Sequence, residues 1–116
     1  MPNQTAVLDD AFRALADPTR RAVIERLSRG TASVSELAQP FDMALPSFLQ
    51  HLRVLEDSGL IRSHKTGRVR TCAVNSLYLN KAESWLTTQR RLREKRLDQL
   101  DTYLMEMKGQ LGEPDL

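Results

Sequence analysis

The hydrophobic period changes twice along this chain, and those changes restrict its fold more than any single residue does. Between Thr5 and Ser58 apolar residues recur every three or four positions, the spacing of helices with one buried stripe. From Leu60 to Val74 the pattern becomes that of two short strands around a glycine, and after Ser76 the helical spacing returns. The expected order is four helices, two strands and one long helix, a mainly α chain with a small β-hairpin.

Local punctuation sets the expected boundaries. Thr5 can cap a first helix in which Leu8, Phe12 and Leu15 recur at i, i+4 and i+7, with Ala11 and Ala14 beside them. Asp17-Pro18 suits an N-cap and first helical residue, because proline has no N–H to lose there. That second helix carries Ala22, Val23, Ile24 and Leu27 and should stop at Gly30, in the left-handed C′ position. Thr31 to Ser33 is expected to be loop. Ser35 can cap a third, short helix with Leu37 and Ala38, limited by Pro40. The fourth helix, Pro46 to about Ser58, turns Phe48, Leu52 and Leu55 inward and ends at Gly59. Leu60–Lys65 and Val69–Val74 flank the turn Thr66-Gly67-Arg68 as a hairpin. Residues 76–108 form the last helix, and Gly109 to Leu116 a frayed tail.

With 116 residues the chain is expected to be one domain, 1–116, with residues 5–75 as its core. At 41% hydrophobic and 28% charged it falls in the ordinary soluble range, which excludes disordered and fibrous classes. No apolar run approaches a membrane span, and the opening MPNQTAVLDD lacks a basic-then-apolar signal segment. A single cysteine, Cys72, allows no internal disulfide, so the cytoplasm is the expected location and no membrane partner is expected. Aromatic residues at 5% are too few for a single-strand stacking platform.

The net charge is only +2, so the placement of the bases must decide whether they matter. Around the fourth helix Pro46, Ser47, Gln50 and Arg53 share the side opposite the buried stripe. Glutamine can pair bidentately with adenine and arginine with guanine, which is what base edges in a major groove require. Leu49 lies at the edge of that arc, where it either touches a thymine methyl or packs. The following hairpin carries Arg62, His64, Lys65, Arg68 and Arg70 with no acid among residues 60–70. Such a ribbon suits the phosphate backbone, with Arg68 at its tip near the minor groove. A helical trio followed by a basic hairpin is the winged form of the helix-turn-helix. The expected partner is therefore double-stranded DNA.

Three blocks in order, Leu15-Ala16-Asp17-Pro18-Thr19-Arg20-Arg21, Val34-Ser35-Glu36-Leu37-Ala38 and His51 to Ile61, closely resemble the ArsR/SmtB family of bacterial repressors. The resemblance covers about residues 6 to 75. It implies a homodimeric winged-helix repressor on an inverted-repeat operator, released by a signal. Many members of that family sense metals through a Cys-x-Cys pair whose positions here correspond to Ser33 and Ser35, and others through histidines on the last helix. This chain has no histidine beyond His64. No metal site and no cofactor are therefore expected, and the signal would be an unknown small molecule or protein.

His51 flanks the buried stripe and is expected to be packed or backbone-bonded. Cys72 suits an inert buried thiol. Trp85 and Tyr103 suit packing groups. On the last helix Leu97, Leu100, Leu104, Met107 and Leu111 recur at steps of three and four, a heptad-like seam. Dimerisation through this seam together with Leu8 and Phe12 of the first helix is the expectation. The alternative is a helical protein-interaction module with an incidental wing. Two histidines, one cysteine and no phosphate loop or nucleophile elbow argue against an enzyme.

Overall fold

The computed structural model describes residues 4–110. Its elements are α1 (Gln4–Leu15), α2 (Pro18–Leu27), β1 (Ala32–Ser33), α3 (Val34–Ala38), α4 (Leu45–Asp57), β2 (Ile61–Thr66), β3 (Val69–Val74) and α5 (Ser76–Gln110). The mainly α winged helix-turn-helix order is as expected, with one addition. Ala32 and Ser33, expected as loop, form a short strand antiparallel to β3, pairing with Cys72 and Thr71. The wing is thus part of a three-stranded sheet in the order β1-β3-β2. Buried Ala32 brings its backbone against β3, whose second edge satisfies hydrogen bonds a solvated loop would give to water.

Several boundaries move for identifiable reasons. The first helix begins at Gln4, so Thr5 lies inside it and is not its cap. Its buried positions are Val7, Ala11 and Ala14, one residue round from the expected stripe, because small side chains permit the closest helix approach. Leu8 is left half-buried, and Phe12 and Leu15 pack on the margin of the core. Asp17 caps α2 as expected, accepting the Arg20 amide at 3.1 Å. The C-cap is Ser28, which places Gly30 two residues beyond at φ 141° and not at C′. Ser33, not Ser35, caps α3, in a reciprocal box with Glu36. The Ser33 amide and hydroxyl hold the Glu36 carboxyl below its usual range, with Arg26 assisting. Gly109 and Gln110 continue α5 past the expected end at Lys108. Leu111 and the rest of the expected tail lie outside the described residues.

The core is one cluster in which Phe48, Leu37, Leu55, Leu60, Val23 and Cys72 are fully buried. It draws on every element up to the first turns of α5 and ends at Ala82. The chain divides into two units there, Met1–Ala82 and Glu83–Leu116. In the second unit the described residues are helical and, apart from half-buried Thr87, exposed. Trp85 and Tyr103, expected as packing groups, are 43% and 57% exposed. No described helix is long and apolar enough to cross a membrane.

Candidate nucleic-acid interface

The helix α4 is anchored at both ends and along its inner face. At its start Pro46 occupies the first turn and Ala44 supplies no side-chain cap, so the first amides point outward without a side-chain partner at the cap. Phe48 stacks on Phe41 of the preceding turn, with ring centroids 5.3 Å apart. At its end the Gly59 amide bonds the Glu56 carbonyl at 2.9 Å and the Leu60 amide bonds that of Leu55 at 3.1 Å. That is a Schellman closure, with Gly59 at φ 80° as the left-handed residue.

A polar cluster joins α4 to the corner between α1 and α2. Arg20 Nε donates to the Ala14 carbonyl at 2.6 Å, Nη2 to that of Arg13 at 3.3 Å, and Nη1 stands 3.1 Å from His51 Nδ1. Asp17 Oδ2 lies 3.7 Å from the same ring nitrogen. Burial works to raise the Asp17 carboxyl. The Arg20 amide, the charges of His51 and Arg20 and the Thr19 amide outweigh it, so the group sits below 3.8. His51, expected to be packed or backbone-bonded, is part-buried and engaged by the side chains of Arg20 and Asp17. Its i+1 neighbour Leu52 is the buried one.

With its inner face fixed, α4 presents Pro46, Ser47, Gln50 and Arg53 as exposed side chains, the arc read from the sequence. Leu45 and Leu49 join them, 54% and 43% exposed. Gln50 and Arg53 line an open groove of about 310 Å³ with Val34, Leu49, Glu56 and Arg70. A second groove of about 550 Å³ is lined by Ser33, Val34, Ser35, Leu49, Lys65, Arg68, Val69 and Arg70. Val34, Leu49 and Arg70 belong to both grooves.

The ladder register divides the wing cations. Lys65 pairs with Arg70, and the residues below them on that face are Ser63 with Cys72 and Ile61 with Val74. Arg62 and His64 pair with Ala73 and Thr71 and project from the opposite face, because side chains alternate along a strand. Lys65, Arg68 and Arg70 are thus brought beside α4, whereas Arg62 and His64 are not. Gly67 at φ 63° occupies the first position of the two-residue turn between Thr66 and Val69, which leaves Arg68 at the tip.

An acid enters the wing from outside its own sequence. Ser63 Oγ donates to Glu56 of α4 and accepts from Arg70 Nη1 at 2.9 Å, so Arg70 is partly engaged inside the protein. The absence of acids in residues 60–70 therefore overstated the free positive charge of this face. Cys72 lies beneath this relay, and burial, with the Glu56 charge, pushes its thiol up despite the nearby Arg70. A neutral, buried thiol is a poor nucleophile, which fits the inert role expected for it. The described residues hold no group of three or more His, Cys, Asp or Glu able to enclose a metal ion.

Val34 and Val69 line these grooves although neither stands out in the sequence, and Leu49, which the sequence leaves between methyl contact and packing, lines both. The signal for Leu49 was present, since at 100° per residue it lies about 40° from Arg53 on the same arc. Val34 could not be placed without the strand pairing that brings the start of α3 to the wing.

Residues 15–64 match a family model described as a helix-turn-helix domain. The chain is similar to the transcriptional repressor SdpR of Bacillus subtilis, 28% identical, the match covering 68% of this chain and 88% of that protein. It is 34% identical to the HTH-type transcriptional regulator YuzN of the same organism, over 67% of this chain and 94% of the relative. Among solved structures, the crystal structure of an ArsR family transcriptional regulator is 60% identical with a TM-score of 0.74, covering 81% of this chain and 97% of that one.

Proposed function

The chain belongs to the ArsR/SmtB family of winged helix-turn-helix transcriptional repressors, and from that premise we propose how it binds DNA. It acts as a homodimer on an inverted-repeat operator and represses by occupying a promoter, releasing it in response to a non-metal signal. The observation that carries this reading is the shared surface of α4 and the wing, where Gln50 and Arg53 stand beside Lys65, Arg68 and Arg70.

The physical roles divide by chemistry. Ser47, Gln50 and Arg53 read base edges in the major groove, with Pro46 at the helix start, while Lys65, Arg68 and Arg70 contact phosphate and supply affinity. Arg62 and His64, on the other face of the ribbon, serve the outer side of the wing. A twofold axis would set the two α4 helices roughly 34–36 Å apart, one turn of duplex. The exposed seam of Leu97, Leu100, Leu104 and Met107 supports self-association, with Leu8 and Phe12 contributing from α1. Regulation is the reading that its relatives support: SdpR is a transcriptional repressor and YuzN an HTH-type transcriptional regulator.

Selection of bound duplexes from a random pool tests the proposal, and an inverted repeat is the expected product. Against that operator and its variants, Gln50→Ala should flatten the ranking of sequences. Arg68→Ala should weaken all duplexes alike and lower the salt slope by about one. A monomer indifferent to duplex DNA would overturn the reading in favour of a helical docking module.

A further inference from the structure

We propose that Leu49, backed by Val34, is a specificity-determining residue that reads the C5-methyl group of a thymine in each half-site. This rests on the DNA-binding reading above and names one base that the surface selects. Leu49 is an apolar side chain 43% exposed in a groove whose amide and guanidinium groups are Gln50, Arg53 and Arg70; Leu45, 54% exposed, stands a full turn nearer the start of α4 and lines neither groove. It is common to both grooves, one holding Gln50 and Arg53 and the other Lys65 and Arg68, with Arg70 lining both. Val34 lines the same two grooves, so the pair forms an apolar spot, extended by Val69 in one groove, with hydrogen-bonding and cationic groups beside it.

Duplex DNA offers few matches for such a spot. Phosphates and most base edges are polar, and burying a leucine against them leaves their acceptors unsatisfied. The apolar group that an unmodified major groove displays is the thymine methyl. Gln50, the next residue on α4, is of the type that pairs with adenine, so adjacent side chains on one arc suit an A·T-containing step. A polar residue in place of Leu49 would leave that position indifferent to the methyl group.

The test uses the full chain and the duplex recovered by selection, with each thymine replaced in turn by deoxyuridine, which removes the methyl and nothing else. The expected result is one thymine per half-site whose replacement weakens binding about 4-fold, the value of one buried methyl-sized group. Leu49→Ala should bind the thymine and deoxyuridine duplexes equally, and Leu49→Met should keep the preference. Placing cytosine at that position should weaken binding, and 5-methylcytosine should restore part of it. If the wild type binds and ranks sequences but no deoxyuridine replacement matters, the inference fails while the DNA-binding reading stands. A deoxyuridine effect that persists in Leu49→Ala also overturns it, because another side chain would then read the methyl. If no duplex is selected at all, both fall together.

Discussion

At the scale of single residues, the side chains that orient this surface matter as much as those on it. Asp17 caps α2 and lies beside His51, and so connects a helix start to the helix that carries the exposed arc. Replacing it with Ala should cost about 1 kcal/mol, the usual value of an N-cap. Its carboxyl is held below 3.8 when folded, so its contribution is complete above that value and is lost as pH falls through the lower folded one. In urea unfolding, wild type should therefore exceed Asp17→Asn at neutral pH, and the gap should close below about pH 4. A gap that stays constant into acid would show that the charge of Asp17 is not what stabilises the corner. The same residue was readable in the sequence from Asp17-Pro18, but its contact with His51 was not. The two positions are separated by α2, β1, α3 and the first half of α4, and only packing brings them within 3.7 Å.

At the scale of elements, the junction from α4 to β2 is the most demanding. Gly59 adopts φ 80°, and a Cβ placed there would stand 2.5 Å from the Tyr78 ring in the first turn of α5. Gly59→Ala should therefore destabilise by roughly 2–4 kcal/mol, seen as a lower urea midpoint, since it combines backbone strain with overlap. Tyr78→Ala in the same chain should recover the steric share and leave roughly 1–2 kcal/mol of strain. Full recovery would mean that φ there costs nothing. The sequence indicated a helix stop at Gly59. It could not indicate that the stop is also where a tyrosine closes over the backbone. The strand β1 escaped notice for a related reason: two residues carry no period, and their pairing with Cys72 and Thr71 is a relation between distant segments.

At the scale of the whole molecule, the apolar residues that the chain does not bury are the ones that need a partner. Leu100 and Leu104 are 51% and 52% exposed on the same face of α5, which is spacing that a second copy could cover. On the proposed homodimer, Leu100→Asp should raise the dimer dissociation constant by about 100-fold or more, because a twofold interface counts each substitution twice. Sedimentation equilibrium measures it directly, and operator binding should weaken in step. A variant that remains dimeric at micromolar concentration would show that this seam is not the interface.

The sequence by itself determined the element order, the helix punctuation at Asp17-Pro18 and Gly59, and the outward arc of Ser47, Gln50 and Arg53. Each of these follows from residue periodicity or from backbone chemistry within a few positions. Tertiary structure alone decided which wing cations face α4, because strand register sends Lys65 and Arg70 one way and Arg62 and His64 the other. It also brought Glu56 into the wing and gathered Val34 beside Leu49. Charge and polarity can be counted along a chain, but the neighbours that neutralise or shape them are chosen by pairing and packing between segments far apart in sequence.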